Sequence, residues 1–223
     1  MKILRLKMGS VAVIENDTHI SKWVKQSGRL DHDQNMLPLL NGHIQSGFTV
    51  VDIGAYIGDH TEYYANRVGS SGKVYAFEPN PPAFECLKYN MTKHAQVFCL
   101  NYGASDSSHT IGIALDPNVG ASHAIEGDEI KCIDLDSLKL NECHFIKMDC
   151  EGMELRALIG AQKTISMFRP TMLLEINRGA LIRQGVTDED VFGWLKNNQY
   201  YYRNVYKGQG LSGKQLDILC LPK

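Results

Sequence analysis

The stretch Thr49-Val50-Val51-Asp52-Ile53-Gly54-Ala55-Tyr56-Ile57-Gly58-Asp59-His60-Thr61 decides the fold. An apolar, β-prone run carries a carboxylate near its end, two glycines then bracket a turn, and a helix-forming segment follows. Such a run reads as a strand covered on both faces, and its passage through glycines into a helix is one unit of a parallel α/β sheet. Gly54 and Gly58 let the backbone turn tightly and approach a ligand without a Cβ in the way. The spacing is D-x-G-x-x-x-G, with Tyr56 where a dinucleotide fingerprint carries its second glycine. A nicotinamide-dependent oxidoreductase is therefore a disfavoured alternative.

Outward from this unit, short apolar runs alternate with helical stretches. Strands are predicted at 49 to 53, 73 to 77, 96 to 100, 144 to 148, 171 to 176, about 200 to 206, and 215 to 221, the first five covered on both faces. Helices are predicted at about 59 to 68, 81 to 92, 152 to 167 and 188 to 198. Pro81 and Pro82 suit a first helical turn, Pro170 stops the third helix, and Thr187 caps the fourth. Between 105 and 140, Gly112, Pro117, Gly120 and Gly127 indicate hairpins and loop that roof a site. Residues 1 to 47 form an N-terminal extension packing on a core of 48 to 223, a single domain overall. In the extension a helix is predicted near 19 to 26, with Ile20, Trp23 and Val24 on one face. A second is predicted over 31 to 40, with Asp31 or Asp33 at its start and Met36, Leu37 and Leu40 inward.

Composition narrows the class. Of 223 residues 43% are hydrophobic, too many for a disordered tail, and 23 basic against 25 acidic residues give a net charge of −2. No global positive field draws the chain to nucleic acid, which is not expected as a partner. Cys86, Cys99, Cys132, Cys143, Cys150 and Cys220 contain no C-x-x-C pair and read as buried thiols in a reducing compartment. Lys2, Arg5 and Lys7 interrupt the first apolar residues, and no span of about 18 apolar residues occurs. The expectation is a soluble cytoplasmic protein without a membrane span.

Three strand ends carry the chemistry. Lys73-Val74-Tyr75-Ala76-Phe77-Glu78-Pro79-Asn80 ends in an acid, and an ionised Glu78 offers two acceptor oxygens to the two hydroxyls of a ribose. After the third strand, Ala104 and Ser105 can meet adenine through main chain, with Asp106 accepting from its amino group. Phe145-Ile146-Lys147-Met148-Asp149-Cys150-Glu151 delivers Asp149 and Glu151 to the carboxyl edge, beside an intrastrand Lys147. By strand alternation Glu175 and Asn177 share a face. Asp149, Glu175 and Asn177 together suit an oxygen-preferring cation, Mg²⁺ or Mn²⁺, although paired acids also serve substrate hydroxyls.

These residues resemble the FkbM family of S-adenosylmethionine-dependent O-methyltransferases. The resemblance runs from about 48 to 178, through the Asp52 to Gly58 loop, Ala76-Phe77-Glu78-Pro79-Asn80, Ile146 to Gly152, Gly160-Ala161 and Leu173-Leu174-Glu175. The family loop reads D-x-G-A-N-x-G, with Tyr56 here in the place of Asn, and its D-V-E-G is Asp149-Cys150-Glu151-Gly152. The resemblance implies the class I methyltransferase fold, a Rossmann-like α/β architecture with a mostly parallel seven-stranded sheet, helices on both faces and a short N-terminal helical extension. It implies S-adenosylmethionine as cofactor, held by Asp52, Gly54, Ala55, Tyr56, Gly58, Thr61, Glu78, Pro79, Asn80, Ala104, Ser105 and Asp149. Transfer to a hydroxyl of a sugar or glycan needs a base, for which Asp149 leads and His60 and His123 are alternatives. Trp23, Tyr56, Tyr102 and Tyr206 are available to stack on an acceptor ring. A noncatalytic S-adenosylmethionine- or glycan-binding module is the other alternative. Partners are a small-molecule or glycan acceptor, and a homodimer is compatible with the sequence.

Overall fold

The computed structural model describes residues 1–6, 9–30, 35–206 and 209–223. The chain opens with an antiparallel pair, β1 (Lys2–Leu6) and β2 (Gly9–Val13), and a short helix α1 (Ile20–Ser27). Then follow β3 (Thr49–Ile53), α2 (Asp59–Val68), β4 (Lys73–Phe77), α3 (Pro81–Asn90) and β5 (Val97–Leu100). A small set comes next, β6 (Gly103–Ala104), β7 (His109–Ala114) and β8 (His123–Ile133). The remainder is β9 (Phe145–Met148), α4 (Glu154–Gly160), α5 (Gln162–Phe168), β10 (Thr171–Asn177), α6 (Arg178–Arg183), α7 (Asp188–Asn197), β11 (Tyr200–Asn204) and β12 (Gln215–Pro222).

The main sheet has seven strands in the order β11-β12-β10-β9-β3-β4-β5, parallel except that β12 runs against both of its neighbours. All five residues of β3 are buried because both faces are covered. Val50 packs with Tyr64 and Val68 of α2 on one side, while Val51 and Ile53 meet Leu158 of α4 and Ile165 of α5 on the other. Each such side chain contributes about 1.5–3 kcal/mol of hydrophobic stabilisation. β5 departs from the expectation of two covered faces. It is the outer strand, and Phe98 stays 43% exposed while stacking on Tyr75. β8 pairs with β6 and β7 in a second sheet, which supplies the hairpin expected between 105 and 140.

Helix starts follow local chemistry. Pro81 lies in the first turn of α3, and Thr187 and Asp190 exchange side-chain and backbone bonds in a capping box on α7. The single helix predicted over 152 to 167 is two, α4 and α5. Gly160 presses so closely on β6 that a Cβ there would lie 1.9 Å from the Ser105 carbonyl oxygen, and the chain bends at Ala161. α6 was not predicted; the Asn177 side chain caps it by accepting from Ala180 N–H.

The extension is not purely helical, because it begins with the β1–β2 pair. Of the helix predicted over 31 to 40, a 3-10 turn at Leu37–Leu40 is formed, with Met36, Leu37 and Leu40 buried as expected. Asp31 and Asp33 lie outside the described residues. The extension docks through Asn90, whose side chain accepts from Ala12 N–H and donates to the Ala12 and Ile57 carbonyls. All six cysteines are free thiols, four of them buried. Among the described residues no helix is long and apolar enough to cross a membrane. Replacing Asn90 by Ala should lower the unfolding free energy in urea by about 2–3 kcal/mol, since three buried backbone groups lose their partner.

Candidate active site

A cavity of about 350 Å³ opens along the carboxyl ends of β4, β3, β9 and β10, where open α/β sheets bind ligands. Its roof comes from Ile111 and Ile113 on β7 and from residues 118–124, and its outer wall includes His19 and Ile20.

One end is organised by Glu78, the residue after β4. Its Oε2 accepts from Tyr56 N–H at 2.7 Å and its Oε1 from Asn80 N–H at 2.8 Å. Asn101 fixes the same corner by donating to the carbonyls of Glu78 and Pro79. Each Glu78 oxygen keeps a lone pair for a further donor. Burial pushes this carboxyl up to about 7 against the pull of the two amides. The folded protein thus holds the proton more tightly than the unfolded chain, and ionising Glu78 costs stability as pH rises from about 4.5 through 7. A ligand donating two hydroxyls to the carboxylate offsets that cost.

The other end is organised by Lys147 of β9, which is 5% exposed. Its ammonium donates to the Gly54 carbonyl at 3.0 Å and lies 3.1 Å from Asp149 and 3.9 Å from Asp52. Burial pulls this ammonium down, but Asp149, Asp52 and Asp59 more than outweigh it and the net shift is upward. Asp59, at the start of α2, is pushed up to about 7, chiefly by burial. Glu154 holds the turn after β9 by accepting from the Cys150 and Gly152 amides. Within that turn Glu151 adopts φ +51°, a strained conformation for a residue with a side chain.

Glu175, opposite Asp217 across the β10–β12 pair, completes an acidic wall. Burial, with Asp149, Asp217 and Glu151 adding repulsion, raises Glu175 to about 9. Burial and the Asp149 and Glu154 charges likewise raise Glu151 to about 7. Asp149, Glu151 and Glu175 each present an oxygen within 4.8 Å of the others, close enough to share protons or to offer oxygens to a cation. Asn177 stands apart from the expected cation set. Its Oδ1 caps α6, and its amide donates weakly to Glu151, which takes the third place.

The remaining predicted positions divide by depth. Gly54, Tyr56, His60, Glu78, Pro79, Asn80, Ala104, His123, Asp149 and Glu175 all line the cavity. Asp52 and Thr61 stand one layer behind, bonded to each other at 2.6 Å. The Gly54 and Ala55 amides, expected to face a cofactor, both donate to the Phe77 carbonyl. Gly54 is required by the sheet itself, since a Cβ there would sit 1.8 Å from the Asp149 carbonyl oxygen. Gly58 makes room for Leu87 of α3 and for Met91, which caps that helix. Ser105 is fully buried behind the wall with its amide on Ile133, and Asp106 pairs with Arg156. Of the aromatic candidates, Tyr102 and Tyr56 line the cavity, whereas Trp23 and Tyr206 pack into hydrophobic clusters. Asp59 and Asp217 are not among the predicted site residues, because locally one belongs to the first predicted helix of the core and the other to a terminal apolar strand.

Residues 52–202 match the methyltransferase FkbM domain. The chain belongs to the FkbM methyltransferase family. Hexuronic acid methyltransferase AglP from Haloferax volcanii is 30% identical to this FkbM chain over 156 residues, 66% of this chain and 63% of that enzyme. The methyltransferase FkbM structure from Methylobacillus flagellatus KT superposes with a TM-score of 0.53 at 18% identity, covering 79% of this chain and 44% of that one. A Streptococcus mutans protein solved in complex with SAH gives a TM-score of 0.53 at 9% identity, covering 83% and 94%. The chain thus spans less than two thirds of the archaeal relative and of the Methylobacillus protein. The two structural likenesses establish the class I methyltransferase fold.

Lys147 is the cation on which this FkbM site balances its carboxylates. Lys147→Met should lower the unfolding free energy in urea by about 3–5 kcal/mol, because it leaves buried carboxylates unpaired. Asp52 is already raised by burial, so the loss should be smaller at pH 5 than at pH 8, where the unpaired acids are forced to ionise.

Proposed function

We propose that this chain is an S-adenosylmethionine-dependent O-methyltransferase that methylates a hydroxyl of a sugar or glycan. The observation that carries the reading is the buried Glu78 carboxylate, oriented by two amides at the edge of β4, with the acidic wall beginning at β9. Two strand spacings, about 10 Å, separate β4 from β9, the span of a nucleoside with a short side chain. The donor chemistry fits the cofactor: a carboxylate for vicinal ribose hydroxyls at one end, and a polar wall for the reacting groups at the other. The family, and a relative named for methylation of a hexuronic acid, support a sugar as the acceptor.

When bound, S-adenosylmethionine supplies an electrophilic methyl group on a sulfonium. The chain's own residues bind, orient and move a proton. Glu78 would accept from the ribose hydroxyls, and Tyr102, Gly103 and Ala104, which line the cavity, would border the base. Lys147 fixes Asp149, which then orients the acceptor hydroxyl. Glu151 takes its proton, because a base is most effective when it titrates near the working pH and Glu151 is raised to about 7. His60 and His123 also line the cavity and stand as reserve acceptors of that proton. Glu175 stays protonated at neutral pH, which limits the charge of the wall. Mg²⁺ or Mn²⁺ would compete with those protons for the oxygens of Asp149, Glu151 and Glu175.

Calorimetry with SAH tests the cofactor half. Affinity should be about tenfold weaker at pH 6 than at pH 8, as Glu78 takes up its proton. Glu78→Gln should weaken binding by about 10- to 100-fold and remove that pH dependence. Labelled S-adenosylmethionine with a panel of neutral, amino and acidic sugar glycosides, read by mass, tests the acceptor half. Transfer to a sugar oxygen is expected, with Glu151→Gln slowing turnover about 100-fold or more and abolishing the acid limb near pH 7. Transfer only to RNA or protein would refute the sugar assignment.

A further inference from the structure

The FkbM match begins at residue 52, yet part of the cavity wall lies before it. His19 and Ile20 face the cavity, and so do residues 118–124 of the roof. What joins these two segments is Asp17. It is 4% exposed, and its carboxylate accepts three amides: Ser21 at 2.6 Å, His19 at 3.3 Å and Val119, across the chain, at 3.1 Å. Beside it, Thr18 donates to the Pro117 carbonyl from both its amide at 3.1 Å and its hydroxyl at 2.9 Å.

The roof turn holds its own shape, since Asp116 accepts from Asn118 N–H and donates its amide to Ser122. Its far end is tied by Gln184, which donates to the Ala124 carbonyl at 2.7 Å. The turn is therefore a preformed piece anchored at two ends, and the anchor on the extension side is residues 17 and 18. Burial pushes the Asp17 carboxyl up, but the Ser21 and His19 amides together with the Tyr56 and Ser21 side chains outweigh it and hold it below the usual range. The acceptor is thus ionised and strong at any working pH. Tyr56, in the glycine loop, packs with Val24 and Trp23 and interacts through its side chain with the Asp17 carboxylate, so the anchor stands over the cofactor end as well.

We propose that Asp17 is a positioning residue for methyl transfer: through the Val119 amide it holds the 117–122 turn against the extension, closing the cavity over cofactor and acceptor. The assignment rests on the reading of the cavity as the methyl-transfer site. Opening requires release of Val119 from Asp17 and of Pro117 from Thr18 together, so the roof sets how fast the nucleoside leaves and how firmly the acceptor is held.

Two variants cut the same bond from opposite sides. Asp17→Ala removes the acceptor. Val119→Pro removes the donor, and it is compatible with the local backbone, because Val119 begins a 3-10 turn and Asn118 before it is extended at φ −83°, ψ 90°. Asn90→Ala is the control, loosening the extension through its bonds to Ala12 without touching Asp17 or the roof. Each of the two variants should speed amide exchange at 118 and 120–122 and SAH dissociation by about tenfold. Each should also raise the acceptor KM about tenfold while kcat at saturation changes less than twofold, and the double variant should add little to either single one. Asp17→Asn, which keeps one acceptor oxygen, should recover part of the effect. The proposal is overturned if both folded variants exchange the amides at 118 and 120–122 at the parent rate, or if Asn90→Ala reproduces the whole effect. Absence of SAH binding to the parent protein would refute the methyltransferase reading instead, and the amide exchange would still decide the anchor.

Discussion

One ammonium holds this structure's functional edge together. Lys147 sits in the centre of the sheet, where burial disfavours its charge, and Asp149, Asp52 and Asp59 more than restore it. Its bond to the Gly54 carbonyl fastens the end of β3 to β9, and Gly54 has no side chain to keep the strands apart. The glycine loop, the start of α2 and the turn after β9 therefore take their positions from a single charge balance. Buried ion pairs contribute little net stability once desolvation is counted. Here the effect is geometric, since the acids are held at fixed separations and their protonation is coupled.

Much of the architecture was legible because it depends on period and punctuation. The runs at 49 to 53, 73 to 77 and 144 to 148 predict strands that the structure forms, since central parallel strands are predominantly apolar. The run at 96 to 100 looked the same but became an edge strand, with Phe98 partly in solvent. Apolar content does not report a strand's position in its sheet. The division of the 152 to 167 helix could not be read either, because its cause, the pressure of Gly160 on the Ser105 carbonyl, is a contact between segments far apart in sequence.

The site was legible by type of residue more than by contact. Strand-end acids such as Glu78 and Asp149 stand out, and both line the cavity. What each touches depends on the fold. Tyr56, which occupies the family's Asn position at φ +48°, places its ring among the apolar residues of the extension. The Gly54 and Ala55 amides turn inward to Phe77. Asn177 looked like a ligand by strand alternation, but the helix that begins immediately after it claims its oxygen as a cap. Local backbone demands of this kind are invisible until the neighbouring element is known.

The order of strands at one edge has a consequence for how the chain reaches its native state. β12 lies between β10 and β11, although it is synthesised after both. β11 has no partner in the sheet until β12 has left the ribosome and slid into the gap, and Asp217 reaches the acidic wall only then. Nascent chains halted before residue 215 would thus display two bare strand edges, a template for pairing with other chains, and would depend on chaperones for as long as translation lags.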